Sequence, residues 1–315
     1  MQSIAQPVLV DALHLKTLLS QEVIEYVAAA IAPATRKAYQ GDLKDFILWG
    51  GCVPCAPAAL AEYIANRAHA HSPFTIARRI VGISRAHSSL GLVDPSKSDL
   101  VRAVLRGLRR TQGKPQRQVA PVLREDLMLM LMLDQMRGIK GIRDRALLLV
   151  GFAAALRRSE LVGLNVEDLQ FVKEGLLVHL PRSKTDQDGE GRKIAVPFGR
   201  TSACPVKAVQ QWMDYAMIST GAVFRSVNKA GVVSGPRLTD QSVALIVKQY
   251  ARALGLPAET YSGHSLRAGL VTSASKAGVS LVKIQQQTGH RSVAMLTRYI
   301  RDAQVFENNA AGLLL

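Results

Sequence analysis

Residues 176–197 read LLVHLPRSKTDQDGEGRKIAVP, and they interrupt the helical pattern that governs most of the chain. An alternating apolar segment leads into a polar stretch that contains Asp188, Gly189 and Gly191, and the chain returns through a short apolar IAV segment. Two apolar segments joined by a polar, glycine-containing tip are typical of a β-hairpin. We therefore predict a mainly α fold with a small antiparallel β-sheet.

Helical spacing governs the segments on either side of this hairpin. Tyr39, Leu43, Phe46 and Ile47, for example, are three or four residues apart, which places them on one face of a helix. Helices are predicted again after Pro205. The helices predicted before the hairpin cover residues 35–49, 57–70, 73–90, 97–110, 124–136 and 142–156.

A linker is predicted at residues 111–122, which read TQGKPQRQVAPV. This segment contains two prolines, a glycine and three glutamines, and it has no apolar periodicity. Such a composition is typical of a connection between domains. We expect a flexible N-terminal arm over residues 1–19, a helical domain over residues 20–110 and a second domain over residues 123–315.

The composition fits two domains with apolar cores. The 315 residues are 48% hydrophobic and 20% charged, and the three cysteines are too few for a disulfide framework. The longest uncharged apolar stretch, residues 146–156, is about half of the roughly 20 residues that a bilayer requires. The first residues lack the pattern of a secretion signal. We expect a cytoplasmic chain without a membrane span.

The chain is strongly basic, with 40 Lys and Arg against 24 Asp and Glu, a net charge of +16. Such a field attracts polyanions, so nucleic acid is the first partner to consider, although a basic protein with solvated charges is the alternative. Clusters on two predicted helices and in the linker could contact DNA phosphates or could simply be solvated. The candidate DNA-binding residues are Arg78, Arg79, Arg85, Arg106, Arg109, Arg110, Lys114 and Arg117.

Three segments of the second domain place polar side chains next to apolar helical sequence. They are ALRRSEL at residues 155–161, GHSLRAG at residues 263–269 and TGHRSVAMLTRYI at residues 288–300. In the first, Arg157 and Glu160 are three residues apart, so the carboxylate can orient the guanidinium. An ordinary surface ion pair would have the same spacing.

The other two segments supply histidines, a second arginine and a tyrosine. His264 and Arg267 are three residues apart, so both project into one site if a helix starts near Ser262. Tyr299 follows His290 by nine residues, which is enough for a short helix or turn to return it to the same pocket. Taken singly, each residue type has a simpler structural explanation, such as a salt bridge or packing.

Together these residue types indicate chemistry at a phosphate. Arginines present planar, permanently charged forks that match phosphate oxygens, and histidines can be tuned near neutral pH. A tyrosine hydroxyl is a nucleophile, but a weak one at its free pKa of about 10. Positive charge around it would favour the phenolate and the transition state.

The order Arg…Lys…His-x-x-Arg…His…Tyr, with its SEL and GH contexts, resembles the tyrosine recombinase (phage integrase) family. The TRKAYQGDLKDFILW segment at residues 35–49 and the phrase GHSLRAG resemble its Cre-like and Xer-like simple recombinases. The likeness covers roughly residues 35–301. It implies a DNA-binding first domain and a catalytic second domain that form a two-domain C-shaped DNA clamp, with four protomers acting on two DNA sites.

The resemblance also implies residue roles. The family's first arginine falls on Arg157, and Glu160 matches its supporting acidic position. Arg267 would clamp the phosphate, and His264 would assist proton transfer from the tyrosine. His290 would donate to a phosphate oxygen, at a position that is Trp in Cre-like members, and this departure favours an Xer-like or integrase-like relationship.

Tyr299 matches the family's nucleophile, and its attack would leave a 3′-phosphotyrosyl link and a free 5′ hydroxyl. Strand exchange would pass through a Holliday junction without metal or ATP. The RSKT context matches Lys184 to the family's lysine, which would protonate the departing 5′ oxygen as general acid. Lys193, on the return strand of the hairpin, is the alternative.

Several other interpretations stay open. Cys52 and Cys55 have the spacing of a redox or zinc site, but no second such pair occurs. The apolar tail, residues 303–315, could dock on a neighbouring subunit, as the resemblance implies, or pack within its own subunit. A type IB topoisomerase-like enzyme would use the same tyrosine chemistry, and a DNA-binding protein that has lost catalysis would keep only the basic faces.

Overall fold

The computed structural model describes residues 20–113, 118–136, 138–181, 191–290, 292, 293 and 296. The chain divides into two compact units, Met1–Gln116 and Arg117–Leu315. The division falls within the segment predicted as a linker. Each unit has an apolar core of its own.

Five α-helices make up most of the described part of the first unit. Ser72 and Ser98 cap the fourth and fifth by accepting hydrogen bonds from the backbone N–H groups of Thr75 and Val101. Three of the helices begin with proline, whose fixed φ suits the first helical position. The helices are α1 (Gln21–Ala29), α2 (Pro33–Trp49), α3 (Pro57–Ala68), α4 (Pro73–Ser89) and α5 (Asp99–Gln112), with a 3-10 turn at Pro95–Lys97.

Helices α2 to α5 supply the core of the first unit. Leu43 and Phe46 are buried, as their spacing predicts, and Ile47 packs against the same cluster. The ring of Phe46 meets Tyr63 edge-on, with centroids 5.0 Å apart. The buried apolar residues are Leu43, Phe46, Leu60, Tyr63, Ile64, Ile76, Ile80, Ile83, Ala86, Val101 and Leu108.

The second unit is also mainly helical. Its helices are α6 (Arg124–Met132), α7 (Gly138–Ala153), α8 (Arg158–Gly163), α9 (Pro205–Tyr215), α10 (Asp240–Ala253), α11 (Ser265–Lys276) and α12 (Leu281–Thr288). Short 3-10 turns occur at Asp134–Met136, Val166–Asp168 and Ala258–Thr260. Helix α7 is buried over most of its length, as its apolar sequence predicts. Within the described ranges, no helix is long and apolar enough to cross a membrane.

Two antiparallel sheets interrupt these helices. The first has the order β1 (Leu169–Val172), β2 (Gly175–Leu180) and β3 (Arg192–Pro197), and the second pairs β4 (Arg225–Val227) with β5 (Val233–Arg237). The predicted hairpin is the pair of β2 and β3, in which Val178 lies opposite Ile194. The prediction of a mainly α fold with a small antiparallel sheet is therefore confirmed.

The two strands of this hairpin have distinct faces. Ile194 and Val196 of β3 are buried, whereas Lys193 and Ala195 are exposed. Arg192 lies on the same face of β3 as Ile194 and Val196, since alternate residues of a strand share a face. We call such residues residues of the same phase. This alternation decides which basic residue of the hairpin turns inward.

Residues 118–122 pack against the rest of the second unit. The backbone N–H of Ala120 donates to the carbonyl of Thr260, and that of Val122 donates to the carbonyl of Ser265, at 3.0 and 2.9 Å. A Cβ on Gly269 would lie 1.7 Å from the carbonyl oxygen of Val122, so only glycine permits this approach. The chain entering the second unit is thereby fixed against α11.

Candidate active site

Arg157 is held by a buried carboxylate at the start of α8. It lies just before the helix, at the N-cap position, and Glu160 lies in the first turn. Glu160 accepts hydrogen bonds from the backbone N–H of Arg157 at 2.9 Å and from its Nη1 at 2.5 Å. Only 6% of the Glu160 side chain and 15% of the Arg157 side chain are exposed. Because one carboxylate accepts hydrogen bonds from both the backbone and the side chain of Arg157, the guanidinium is held in one orientation.

Arg267 comes from α11 and is buried. Its Nη1 donates to the carbonyl of Ala155 at 2.7 Å. Ala155 has φ of +50°, in the left-handed region that residues other than glycine seldom adopt. This turn connects α7 to α8 two residues before Arg157, so Arg267 is tied to the segment that carries the first arginine.

A chain of hydrogen bonds links Arg267 to His290 and the end of α12. Nη2 of Arg267 lies 3.2 Å from Nε2 of His290, which must accept because a guanidinium has only donors. The neutral ring then carries its proton on Nδ1, which donates to Oγ1 of Thr288 at 2.6 Å. The Thr288 hydroxyl donates in turn to the carbonyl of Ile284 at 2.7 Å. Each donor in this series of hydrogen bonds therefore has an acceptor.

The same surroundings keep His290 neutral. Burial lowers the pKa of His290 to about 4, and the positive charges of Arg267, Arg157 and Arg192 act in the same direction. A proton on this ring would meet three guanidiniums in a region shielded from water. At neutral pH, His290 is therefore an uncharged acceptor for Arg267.

Arg192 belongs to this region, although the sequence analysis did not single it out. Its charge acts on His290, and the charges of Glu160 and Arg157 act on it. The strand phase of Arg192, shared with Ile194 and Val196, was the signal that could have found it. Among the described residues, three guanidiniums therefore lie in the region of the Glu160 carboxylate.

His264 stands at the start of the helix that carries Arg267. The helix begins at Ser265, three residues after Ser262, and His264 is its N-cap residue. Its backbone N–H donates to Oγ of Ser262 at 3.1 Å, and its side chain is exposed. The two members of the His-x-x-Arg motif therefore differ in burial, since Arg267 lies inside.

The remaining predicted catalytic residues are only partly described. Lys193 is exposed and pairs with His179 of β2. Its side chain projects from the face of β3 opposite to that of Ile194. Lys184 and Tyr299 lie outside the described residues.

In the first unit, two of the predicted DNA-binding arginines have partners within the fold. Arg79, whose side chain is 12% exposed, donates to the carboxylate of Asp45 and to the hydroxyl of Tyr63. Arg78 is about half exposed and pairs with Asp42 at 2.6 Å. Both arginines thus connect α4 to α2. The others that the structure describes, Arg85, Arg106, Arg109 and Arg110, are exposed, whereas Lys114 and Arg117 lie outside the described residues.

The Cys52 and Cys55 pair has no metal-binding surroundings. Among the residues with described positions, no group of three or more His, Cys, Asp or Glu side chains could hold a metal ion. The nearby His87 already uses Nε2 to accept the backbone N–H of Cys55 at 3.1 Å. Burial raises the pKa of the Cys55 thiol to about 11, so it stays protonated at neutral pH.

Comparison with known proteins identifies the family of the chain. A model described as the Phage integrase family matches residues 121–305, which is more than half of the chain. The chain belongs to this family. Its predicted resemblance to the tyrosine recombinases is thereby confirmed, and with it the assignment to a class of enzymes that cut and rejoin DNA.

Individual relatives agree with this assignment. The recombinase is 38% identical over 290 residues to an integrase/recombinase xerD homolog of Selenomonas ruminantium, covering 89% of this chain and 84% of the relative. It is 26% identical over 275 residues to the recombinase cre of Escherichia phage P1, covering 79% of this chain and 77% of the relative.

Solved structures share the fold. The XerH site-specific recombinase in a post-cleavage complex with palindromic difH substrate has a TM-score of 0.64 at 16% identity, covering 88% of this chain and 79% of that chain. The Tn1549 transposon integrase in complex with transposon right end DNA has a TM-score of 0.60 at 18% identity, covering 87% of this chain and 92% of that chain.

The neutral state of His290 leads to a prediction about stability and pH. An imidazole in the unfolded chain protonates near pH 6.5, whereas His290 stays neutral down to about pH 4. Protonation therefore favours the unfolded state as the pH falls through this window, by on the order of 3 kcal/mol in total. Denaturant unfolding between pH 7 and pH 4 should show a smaller loss of stability in His290→Asn than in the wild type.

The control for this measurement is Arg252→Gln, which changes an exposed residue of α10 in the same unit. It should follow the wild-type pH dependence. Equal losses of stability in the wild type and in His290→Asn would contradict the neutral, buried state of His290.

Proposed function

We propose that this recombinase is site-specific and cuts DNA by attack of the Tyr299 hydroxyl on a phosphodiester. The cluster of Arg157, Arg267 and His290 is the observation that carries the proposal. A bond forms between the Tyr299 oxygen and phosphorus, and the bond from phosphorus to the 5′ oxygen breaks. The products are a 3′-phosphotyrosyl link and a free 5′ hydroxyl, which attacks the link on a partner strand.

This link conserves the energy of the phosphodiester bond, so rejoining needs no ATP. Two successive strand exchanges pass through a Holliday junction. The proposal assigns no step to a metal ion, because the charge that a metal would supply comes from arginines.

The charge balance of the cluster supports a phosphate as its ligand. Among these described residues, Arg157, Arg192 and Arg267 are positive, Glu160 is negative and His290 is neutral, which gives the five side chains a net charge of +2. A phosphodiester carries one negative charge, and the transition state for its cleavage gathers a second. The cluster therefore matches the transition state better than it matches the bound substrate.

His290 changes its role when a phosphate binds in this proposal. Without DNA, its Nε2 accepts a hydrogen bond from Arg267. A phosphate draws the Arg267 guanidinium to itself and adds negative charge, which raises the pKa of His290. A proton on Nε2 then lets His290 donate to a phosphate oxygen.

Different residues handle the two proton transfers, one from Tyr299 and one to the departing 5′ oxygen. Exposed His264 assists loss of the proton from Tyr299, and the positive cluster stabilises the phenolate. Lys184 is the general acid for the departing 5′ oxygen. The position of Lys193 favours this choice, because it projects from the exposed face of β3, opposite to the phase of Arg192.

We propose that the first unit contacts DNA mainly through the exposed basic faces of α4 and α5. Arg85, Arg106, Arg109 and Arg110 are exposed there, whereas Arg79 is committed to Asp45. The domains proposed are a core DNA-binding domain over residues 20–110 and a catalytic domain over residues 123–315, which close as a C-shaped clamp. Lys114 and Arg117 would follow the phosphates between them.

Four protomers on two DNA sites are proposed to carry out the exchange, with the C-terminal tail of each docking on a neighbour. The substrate would place the protein at the nucleoid, in the cytoplasm. The fold is shared with recombinases whose structures contain DNA, XerH with difH and the Tn1549 integrase with transposon end DNA.

Tyr299→Phe is expected to bind target DNA with wild-type affinity but to form no covalent adduct, because only the attacking oxygen is removed. Nicked suicide substrates drawn from random or host-derived libraries, incubated without metal, would capture the adduct. An adduct in the variant would contradict the nucleophile assignment. Relaxation of supercoiled plasmid without any preferred sequence would indicate a type IB topoisomerase-like enzyme, and DNA binding without any wild-type adduct would indicate a binding protein.

Lys184→Ala is expected to cleave an ordinary substrate about 10²- to 10⁴-fold more slowly, the usual contribution of a general acid. A substrate whose 5′ bridging oxygen is replaced by sulfur should restore the rate, since a thiolate departs without a proton. Lys193→Ala should cleave both substrates at near wild-type rates. Rescue of Lys193→Ala in place of Lys184→Ala would reverse the assignment.

Deletion of residues 303–315 is expected to abolish cooperative assembly on DNA while leaving single-site binding intact. Gel-shift titrations on substrates with one and two binding elements separate the two properties. Cooperativity equal to that of the full chain would show that the tail packs within its own subunit.

A further inference from the structure

Arg192 is a charged residue at a strand position that shares its face with core residues. It is the first residue of β3, lies opposite Leu180 of β2, and shares the phase of Ile194 and Val196. Most strand positions of this phase are filled by apolar residues in the first sheet. A guanidinium here turns toward the protein, at the edge of the sheet nearest the cluster described above.

The Arg192 guanidinium lies directly against the segment that carries His290. A Cβ on Gly289 would lie 2.1 Å from Nη1 of Arg192, so a side chain at position 289 would displace the guanidinium. Gly289 also has φ of +65°, which ends α12 in the left-handed region. Nη1 donates a long hydrogen bond, 3.5 Å, to the carbonyl of Gln287. The amide of Gln287 donates to the carbonyl of Ala195 at 3.2 Å and thus ties α12 to β3.

Two donors of this guanidinium have no acceptor among the described residues. Nε and Nη2 of Arg192 are buried and lack a hydrogen-bond partner among the residues that the structure describes. Burying a charged donor without a partner costs more than burying almost any other group. Arginine cannot escape the cost by losing its proton, because its free pKa exceeds 12.

The nearby carboxylate does not satisfy these donors. Glu160 uses one oxygen for Nη1 of Arg157 and the other for the Arg157 backbone. Burial lowers the pKa of Arg192, and the Glu160 charge opposes that shift only from a distance. Arg192 therefore adds positive charge and open donors to a cluster that already holds two other arginines.

We propose that Arg192 is a third arginine of the anion site and donates to a non-bridging oxygen of the phosphate. This inference rests on the proposed function for the identity of that phosphate, but the anion site itself does not. Unlike Arg157 and Arg267, Arg192 has buried donors that lack an acceptor among the residues the structure describes. Its contact should strengthen as the phosphate gathers its second negative charge.

The test measures binding of inorganic phosphate to the full chain by calorimetry at low salt. Arg192→Gln should weaken phosphate binding about 10-fold or more, the usual effect of losing charge-assisted hydrogen bonds. Arg252→Gln, which makes the same exchange at an exposed position of α10, should stay within about 2-fold of the wild type. Arg192→Lys keeps the charge but loses the planar guanidinium with its several donors, and it should bind phosphate more weakly than the wild type.

Thermal unfolding without phosphate separates this role from a structural one. Arg192→Gln should be at least as stable as the wild type, because it removes buried donors without partners, and phosphate should no longer raise its Tm. Wild-type phosphate affinity in Arg192→Gln would overturn the proposal, as would a wild-type protein that binds no phosphate. If Arg192→Gln does not fold, the affinity of Arg192→Lys decides.

Adduct formation on nicked DNA then distinguishes this inference from the proposed function. Arg192→Gln should slow adduct formation about 100-fold while changing DNA affinity by less than about 3-fold. An unchanged rate would overturn the assignment to the reacting phosphate. A wild type that binds phosphate through Arg192 but forms no adduct would contradict the proposed function and leave the anion site standing.

Discussion

Among the residues that the structure describes, the carboxylate of Glu160 acts on Arg157 and Arg192 in a region with three guanidiniums, and this excess of positive charge constrains the groups around it. A buried arginine is tolerated when its donors are satisfied. Arg157 meets this condition through Glu160, and Arg267 through the Ala155 carbonyl and His290. His290 can accept from Arg267 only as a neutral ring, and its lowered pKa follows from the same charges.

The fold brings these residues together from four separate segments. The left-handed turn at Ala155 joins α7 to α8, α11 brings Arg267, α12 ends at Gly289 next to His290, and β3 begins at Arg192. Gln287 connects these parts, since its amide donates to the carbonyls of Ala153 and Ala195 at 2.8 and 3.2 Å. Contact of residues 118–122 with α11 links the entry of the chain to the helix that carries Arg267.

Much of this arrangement was predictable from the sequence, because strong periodicity reports burial directly. The helices and the hairpin of β2 and β3 follow from spacing and alternation. Strands β1, β4 and β5 were not predicted, since three to five residues, with Gly235 and Pro236 inside β5, carry too little alternation. Their pairing depends on contacts that no local pattern encodes.

The site was less predictable than the fold, because residue type does not reveal a partner. Arg157 follows the helix predicted over residues 142–156 and caps the next one, α8, and the paired Arg79 has the same sequence signal as the exposed Arg85. Arg192 and Lys193 are neighbours of like charge, and only the strand register tells which turns inward. In each case tertiary contacts, and not local spacing, decide the role.

The central claim is that this cluster binds the reacting phosphate of DNA. A crystal structure with nicked duplex DNA and vanadate, which imitates the five-coordinate transition state, tests it most directly. We expect Arg157, Arg192, Arg267 and His290 around the equatorial oxygens of the vanadate and the Tyr299 oxygen at an apical position. Vanadate bound elsewhere, with the Arg267 to His290 hydrogen bond unchanged and Tyr299 remote from vanadium, would contradict the account.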